Sequence, residues 1–221
     1  MSSQEVPRYI VVEGPIGVGK TSLTKRLAER LQAELLLEQA EENPFLDKFY
    51  QNPQQSALPT QLFFLFQRAQ QIQALRQSDL FSPVRVADFL MEKDRLFAQL
   101  TLDNDEFRLY EQVYSSLTLD APQPDLVIYL QAPVQTLLDR VYKRGRKFER
   151  FMESSYLEQL SDAYTRYFYY YNESPLLIVN AAEIDLVNSQ QDFDMLLTRI
   201  NEIRSGRHYF NPISFHGKRT L

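Results

Sequence analysis

Five short apolar stretches, rich in β-branched residues, recur along the chain and are separated by longer segments of mixed character. They are YIVVE at 9–13, ELLLE at 34–38, PVRVAD at 83–88, DLVIYL at 125–130 and PLLIVN at 175–180. Each has the length and composition of a strand that is buried on both faces of a sheet.

The segments between these stretches show helical periodicity. Leu23, Leu27 and Leu31 recur every four residues and therefore share one helix face. A longer helix is predicted to start at Pro59 and Thr60. Its apolar positions are Leu62, Leu65, Ala69 and Ile72. Strands that alternate with helices predict an α/β fold with a five-stranded parallel sheet and helices on both faces.

Composition narrows the class of protein. The 221 residues carry a net charge of -5, so no general basic surface is available for nucleic acid, and none is expected to bind. The absence of cysteine excludes disulfides and thiolate chemistry. Neither a membrane-spanning apolar run nor a secretory signal is present in the sequence. We expect one domain over residues 1–221, located in the cytoplasm and without membrane partners.

Glycine is scarce, and its distribution is uneven. The chain has 6 glycines, and three of them fall in GPIGVGKTS at 14–22, which follows a predicted strand and precedes a predicted helix. This is the phosphate-binding loop pattern, in which backbone N–H groups, a helix N-terminus, a lysine and a hydroxyl hold phosphates and Mg²⁺. The predicted nucleotide-binding residues are Gly14, Pro15, Ile16, Gly17, Val18, Gly19, Lys20, Thr21 and Ser22. A glycine-rich turn without a ligand is the alternative interpretation.

Two predicted strands end in acids that would face the same cleft. Glu38 closes ELLLE and Asp88 closes PVRVAD, and ligands bind outside the carboxyl ends of such strands. The base-reading and switch motifs of regulatory GTPases do not occur, which leaves a small phosphotransferase. A kinase that acts on a hydroxyl uses a carboxylate as its base. Asp88 is the candidate, with Glu38 beside the metal and the attacking oxygen; solvated strand-end carboxylates are the alternative.

A predicted helix with Leu137, Leu138 and Val141 on one face runs into a basic segment. Its cations are Arg140, Lys143, Arg144, Arg146, Lys147 and Arg150. With the phosphate-binding loop in the same domain, we interpret residues of about 143–152 as an arginine-rich lid over the transferring phosphates. A solvated basic helix end is the alternative. The chain from about 205 to 221 is interpreted as a polar tail.

Two further groups of side chains lie at helical spacing. Gln61 and Arg68 share a face with Phe64, which would suit recognition and stacking of a nucleobase, although ordinary surface polarity explains it equally well. An aromatic group of Tyr164, Tyr167, Phe168 and Tyr171 is interpreted as core rather than as a stacking platform.

Several motifs taken together resemble the deoxyribonucleoside kinase family, and within it the bacterial deoxyguanosine/deoxyadenosine kinase branch. They are, in order, EGPIGVGKTSL, ENPFLDKFY, ADFLMEKDRLFA and KRGRKFERFMESSYLEQL. The resemblance implies a P-loop kinase fold, a homodimer packed through helices, and transfer of the γ-phosphoryl of ATP, with Mg²⁺, to the 5′-hydroxyl of a deoxynucleoside. Purines are favoured over pyrimidines.

The resemblance also implies a role for individual residues. Asp88 would be the catalytic base, and Glu38 would contact the 5′-hydroxyl. The metal assignment, with the Thr21 hydroxyl as a ligand and Glu38 beside it, comes from the loop pattern and the strand-end acids and not from the resemblance. The sugar 3′-hydroxyl would bind Tyr50 and Glu149. The base would contact Gln61, and purine acceptance would depend on Arg68 with Asp94. The remaining implied residues are Lys20, Lys93 and Phe97, and the lid arginines Arg140, Arg144 and Arg146.

One position departs from the family pattern. Many relatives follow the base with Arg-Ser, whereas Asp88 is followed by Phe89 and Leu90, so Lys93 is the possible substitute for the missing arginine. A thymidylate-type nucleoside monophosphate kinase and a regulatory nucleotide-binding protein stay open as alternatives. The sequence does not rank the deoxynucleosides or the phosphate donors.

Overall fold

The computed structural model describes residues 7–76, 84–118 and 121–211, which form a parallel sheet covered by helices. The strands are β1 Tyr9–Glu13, β2 Glu34–Leu36, β3 Arg85–Ala87, β4 Leu126–Gln131, β5 Leu176–Asn180 and β6 Arg207–Phe210. They are arranged in the order β2-β3-β1-β4-β5-β6, and every pair of neighbours is parallel.

The helices follow the strands along the chain. They are α1 Lys20–Leu31, α2 Leu46–Gln51, α3 Pro53–Arg76, α4 Lys93–Thr101, α5 Asn104–Leu117, α6 Val134–Arg144, α7 Ser154–Tyr170 and α8 Gln190–Glu202. Short 3₁₀ turns occupy Ala40–Glu42 and Lys147–Phe151. Within the described ranges, no helix combines the length and the apolar character that crossing a membrane requires.

The five predicted strands are confirmed, and β1 lies between β3 and β4. The expected burial on both faces is wrong for β2, which is the outermost strand and has exposed or half-buried side chains. Ile10, Val11 and Val12 of β1 are fully buried, as expected for a strand covered on both faces. Because all strands run the same way, the carboxyl ends of β1, β2 and β3 meet at one edge of the sheet. Glu38 and Asp88 follow β2 and β3 at this edge.

The sheet has one strand more than predicted. Part of the segment interpreted as a tail forms β6, which pairs in parallel with β5 and is the outermost strand on that side of the sheet. Its sequence RHYF has polar residues and no buried side chain, so it lacks the apolar run that marks the other strands. Arg207 at its start donates to the backbone oxygens of Phe168 and Tyr169 at 2.9 and 2.8 Å. The rest of the predicted tail, residues 212–221, lies outside the described residues.

The long helix starts earlier than predicted. It begins at Pro53, so Pro59 lies inside α3 rather than at its start. An internal proline loses one helical hydrogen bond and disfavours a helical turn before it. Here one face of that turn is buried: Ala57 is fully buried in a cluster with Leu46 and Phe49 of α2. Packing against α2 therefore keeps the turn before Pro59 helical.

The predicted lid consists of the end of α6, Gly145 and the 3₁₀ turn Lys147–Phe151. Gly145 has a left-handed φ of +67° and ends α6. Leu137 and Val141 are buried, as the helical pattern indicated, and attach α6 to the core.

The four aromatic side chains in and just after the last two turns of α7 that the sequence analysis interpreted as core do belong to it, which confirms that interpretation. Tyr164 and Phe168 are 0% and 1% exposed, Tyr171 is also buried, and Tyr167 packs against the same cluster. The ring of Phe168 stacks on that of Tyr129 in β4, with 4.1 Å between centroids. These rings attach α7 to the sheet.

We predict that Phe168→Ala lowers the free energy of unfolding by about 3–5 kcal/mol, because it leaves a cavity between α7 and β4. Urea denaturation measures this change. Tyr170→Ala is the matched control on the same helix, because Tyr170 is 75% exposed, and its effect should stay within about 0.5 kcal/mol. Equal effects of the two substitutions would contradict this assignment of the core.

Candidate active site

A cavity of about 280 Å³, called here the first cavity, lies at the sheet edge where β1, β2 and β3 end. Its size is near the lower end of ordinary ligand cavities, about 300–1,000 Å³. Most of the residues singled out from the sequence line it. They are Ile16, Gly17, Gly19, Lys20, Thr21, Ser22, Glu38, Tyr50, Gln61, Arg68, Asp88, Lys93, Asp94, Phe97, Arg144, Arg146 and Glu149.

The phosphate-binding loop joins β1 to α1, and two of its glycines are required by close packing as well as by conformation. Gly14 and Gly17 have φ of +148° and +86°. A Cβ on Gly14 would lie 2.5 Å from the backbone oxygen of Leu130 in β4, and one on Gly17 would lie 2.6 Å from that of Leu137 in α6. Any side chain at either position would therefore displace a neighbouring element.

Lys20 lies at the start of α1 and points back over the loop. Its Nζ donates to the backbone oxygens of Gly14 at 2.7 Å and Pro15 at 3.3 Å. Burial, together with the nearby positive charge of Lys93, lowers the pKa of Lys20 to about 8. A phosphate group bound over the loop would add negative charge beside this ammonium and favour its charged form.

Asp88 connects the phosphate-binding loop to the segment after β2. Its Oδ2 accepts a hydrogen bond from Thr21 Oγ1 at 2.6 Å, and its Oδ1 accepts from the backbone N–H of Glu38 at 2.7 Å. A carboxylate oxygen can accept more than one hydrogen bond, so a substrate hydroxyl can still bind to it. The side chain is 2% exposed.

Glu38 forms the centre of a buried ion-pair network. Its Oε1 pairs with Arg68 of α3, and its Oε2 accepts from Lys93 Nζ of α4 at 3.0 Å. Arg68 also pairs with Asp94 of α4. Both cations and Asp94 are almost completely buried, so each charge depends on its partners for stabilisation.

The pKa values of the two candidate acids, Asp88 and Glu38, are shifted in opposite directions. Burial and the negative charge of Glu38 raise the pKa of Asp88 above its usual value, against opposing hydrogen bonds from Thr21 and the backbone. Burial would also raise the pKa of Glu38, but the charges of Arg68, Lys93 and Lys20 outweigh it and hold that pKa well below its usual range. Asp88 is therefore the better proton acceptor, and Glu38 stays ionised.

Gln61 and Arg68 of α3 both point into the first cavity, as their shared helix face indicated. Gln61 is 3% exposed, and its Nε2 donates to Thr101 Oγ1 at 3.3 Å. The guanidinium of Arg68 lies 5.2 Å from the centre of the Phe64 ring. Its Nε is buried and has no hydrogen-bond partner among the residues that the structure describes. An amide, an aromatic ring and a donor thus converge on one end of the cavity.

Aromatic rings form another part of the cavity lining. Tyr50 stacks on Phe148, with 6.3 Å between ring centroids, and meets Tyr156 edge-on at 6.4 Å. Burial, Tyr156 and Glu149 raise the pKa of Tyr50 well above its usual value, so its hydroxyl keeps its proton. Glu149 also lines this part of the cavity and is paired with Arg144. The sequence analysis did not single out Phe148 or Tyr156, because apolar aromatic positions there do not differ from core positions.

The three arginines assigned to the lid occupy different places. Arg144 lines the first cavity, as does Arg146, which pairs with Glu41 at 2.6 Å. Arg140 points elsewhere: its guanidinium donates to the backbone oxygens of Val18 at 3.2 Å and Ala181 at 2.8 Å. It lines a second cavity of about 770 Å³ between the phosphate-binding loop, α6 and residues 181–188.

Glu13 is a buried charged residue that the sequence analysis missed. It ends β1 and is 1% exposed. In the sequence it stands beside the phosphate-binding loop, and a charged residue at the end of an otherwise apolar strand was the available signal. Its contacts reach both Gly14 and the segment after Asp88.

Comparison with known proteins gives relatives over nearly the whole chain. The deoxyguanosine kinase of Bacillus subtilis strain 168 is 36% identical over 203 residues, which cover 88% of this chain and 97% of that protein. The deoxyadenosine kinase of Lactobacillus acidophilus is 31% identical over 88% of this chain and 95% of that protein.

The fold also resembles that of deoxyadenosine kinase from M. mycoides with bound dATP. The TM-score is 0.75 at 24% identity, with 87% of this chain and 98% of that chain covered. A family model described as deoxynucleoside kinase matches residues 10–205. These matches separate the chain from the nucleoside monophosphate kinases and regulatory P-loop proteins considered above. The chain belongs to the deoxynucleoside kinase family.

Proposed function

We propose that the protein transfers the γ-phosphoryl group of ATP to the 5′-hydroxyl of a deoxynucleoside, with purine deoxynucleosides preferred. The observation that carries the proposal is the pair of acids with opposite pKa shifts beside the phosphate-binding loop. Asp88 accepts the proton of the 5′-hydroxyl as that oxygen attacks the phosphorus. Glu38 stays charged and orients the hydroxyl.

The donor's phosphates bind over the loop from Gly14 to Ser22. Lys20 stabilises the negative charge on the β- and γ-phosphates, and Arg144 and Arg146 act on the transferring group from the lid. The donor's base would occupy the second cavity, which adjoins the loop on the side of Arg140. This fits ATP as the donor.

The donor set beside the loop suits Mg²⁺. The hydroxyl of Thr21 and the carboxylate of Glu38 are the hard oxygen ligands that this ion prefers. Within the described ranges, no group of three or more Asp, Glu, His or Cys side chains could hold a metal ion. Such a site suits an ion bound largely through phosphates and water. Bound there, Mg²⁺ would neutralise charge on the phosphates.

Lys93 takes the role of the arginine that many relatives carry directly after the base. Its ammonium reaches Glu38 from the start of α4, and it lies beside Lys20 near the phosphate-binding loop. The side chain is 3% exposed, so its charge acts in a poorly solvated site, where an ammonium interacts strongly with phosphate.

Purine preference is supported by the chemistry of Arg68. A purine ring presents N7 as an acceptor, and guanine adds O6, whereas pyrimidines lack N7. Arg68 carries only donors, and its buried Nε faces no protein partner among the described residues. Gln61 supplies an amide to the same end of the cavity, and Phe64 supplies a ring face. Tyr50 and Glu149 would hold the 3′-hydroxyl, with Asp94 and Phe97 completing the site.

The protein is further proposed to act as a homodimer in the cytoplasm. Phe66 of α3 and Leu109 of α5 are 47% and 49% exposed, and large apolar side chains on two packed helices suit a helical interface. Light scattering of the purified protein would then give about twice the chain mass of 26.0 kDa.

Asp88→Asn should lower kcat by about 100-fold or more, because an amide cannot accept the proton, and leave KM for the deoxynucleoside within about threefold. Steady-state kinetics with Mg-ATP measures both constants. Asp88→Glu, which keeps a carboxylate, should retain more activity than Asp88→Asn. Asp139→Asn, at an exposed position of α6, is the control. Turnover near that of the wild type in Asp88→Asn would remove Asp88 from the reaction.

Arg68→Ala should lower kcat/KM for deoxyadenosine and deoxyguanosine about tenfold more than for deoxycytidine, because only purines lose the bond to N7. Since Glu38 also loses a partner, some loss is expected with every substrate, and the ratio is the informative quantity. Arg95→Ala removes an arginine paired with Glu111 outside the cavity and should leave the ratio unchanged. An equal loss for all three nucleosides would overturn the purine argument.

kcat/KM for ATP should fall as the pH rises through about 8, the pKa to which burial lowers Lys20. Below this pH the enzyme that has not yet bound ATP carries the ammonium that binds phosphate, and above it that charge is lost. The profile is measured between about pH 6 and 10 at saturating deoxynucleoside. Lys25→Met, at an exposed position of α1, should give the same profile as the wild type. A flat profile up to pH 10 would contradict this role of Lys20.

A further inference from the structure

Glu13 places a carboxylate in the interior of the protein, at the end of the central strand β1. At 1% exposure it has lost its hydration, which is unfavourable unless hydrogen bonds and opposite charge replace the lost water. Both of its oxygens are occupied by donors, and one of them also lies near a buried ammonium. These donors belong to different parts of the active site, so the buried charge connects them.

The donors come from elements on both sides of the cleft. Oε1 accepts from the backbone N–H of Gly14 at 2.9 Å and from the hydroxyl of Tyr164 at 2.9 Å. Oε2 accepts from the backbone N–H of Leu90 at 2.8 Å. Gly14 begins the phosphate-binding loop, and Leu90 follows Asp88 by two residues. One carboxylate therefore joins the donor loop to the segment that carries the base.

Lys93 is the fourth group in this arrangement. Its Nζ lies 3.9 Å from Glu13 Oε1 and 3.0 Å from Glu38 Oε2, so the two carboxylates lie on the same ammonium. Its backbone N–H donates to the oxygen of Leu90 at 3.2 Å. Glu13 thus acts on Lys93 twice, through the charge of the side chain and through the peptide that begins α4.

We propose that Glu13 is a positioning residue for phosphoryl transfer, which holds the ammonium of Lys93 at the reaction centre and touches no substrate itself. The inference rests on the proposed function, since it assigns Lys93 to the transferring phosphate. Tyr164 supports Glu13 from α7: its hydroxyl donates to the carboxylate, and its ring meets Phe97 edge-on at 6.3 Å.

The test is a double-mutant cycle with Glu13→Gln, Lys93→Met and the combined variant, assayed with Mg-ATP and deoxyadenosine or deoxyguanosine. Glu13→Gln should lower kcat by about 10- to 100-fold, the range expected when a catalytic group is misplaced. KM for the deoxynucleoside should stay within about threefold, because the Gln61 end of the cavity is intact. In the Lys93→Met background, Glu13→Gln should lower kcat by less than about threefold.

Asp125→Asn is the matched control. Asp125 Oδ2 also accepts from backbone N–H groups, those of Arg8 and Tyr9 at 2.8 and 2.9 Å, but at the opposite end of β1. This variant should lower Tm and leave kcat unchanged. If Glu13→Gln unfolds at the assay temperature, Tyr164→Phe replaces it, because it removes one donor and keeps the carboxylate. Its loss of kcat should be about threefold and should vanish in the Lys93→Met background.

Two outcomes overturn the inference and are distinguishable. In the first, the wild type consumes ATP with a deoxynucleoside, but Glu13→Gln either keeps a normal kcat or lowers kcat by the same factor with and without Lys93→Met. The positioning role is then wrong, and the proposed function stands. If the wild type shows no deoxynucleoside-dependent consumption of ATP, the proposed function fails, and the positioning role fails with it.

Discussion

The site depends on the pairing of buried charges around Glu38. This carboxylate follows β2, and its two cations come from different helices, Arg68 from α3 and Lys93 from α4. A charge removed from water is stable only with a partner, so each side chain restricts the position of the others. The interaction therefore fixes α3 and α4 relative to the sheet edge, and with them the width of the first cavity.

The same network prepares the cleft for an anionic substrate. Glu13, Glu38 and Asp88 stabilise the positive charges of Lys20 and Lys93, although burial still leaves Lys20 with a lowered pKa. Negative phosphates bound there would favour its charged form. The network also gives the two acids different roles. The cations surround Glu38 and keep it ionised, whereas Asp88 has the raised pKa that a base needs.

Much of the fold could be predicted because its signals are local. A strand buried on both faces must be apolar, so YIVVE at 9–13 indicated β1 directly, and the stretches that became β3, β4 and β5 indicated their strands in the same way. The stretch ELLLE also became a strand, but β2 lies outermost in the sheet and is largely exposed. Two further errors have tertiary causes. β6 is polar and lies at an edge, where only pairing with β5 makes it a strand. The first turns of α3 precede a proline, and packing of Ala57 against α2 keeps them helical.

For the site, the sequence by itself determined the phosphate-binding loop, because its chemistry is contained in nine consecutive residues, and it placed the two acids at strand ends. Only the tertiary structure decided how those groups interact. Cations distant in the chain lower the pKa of Glu38, whereas burial and the negative charge of Glu38 raise the pKa of Asp88. Arg140 bonds the backbone at Ala181 rather than facing the first cavity. The role proposed for Glu13 depends on hydrogen bonds from Leu90 and Tyr164, which lie 77 and 151 residues away in the sequence. Electrostatic and hydrogen-bond partners are set by distance in space, and the order of residues along the chain does not contain that distance.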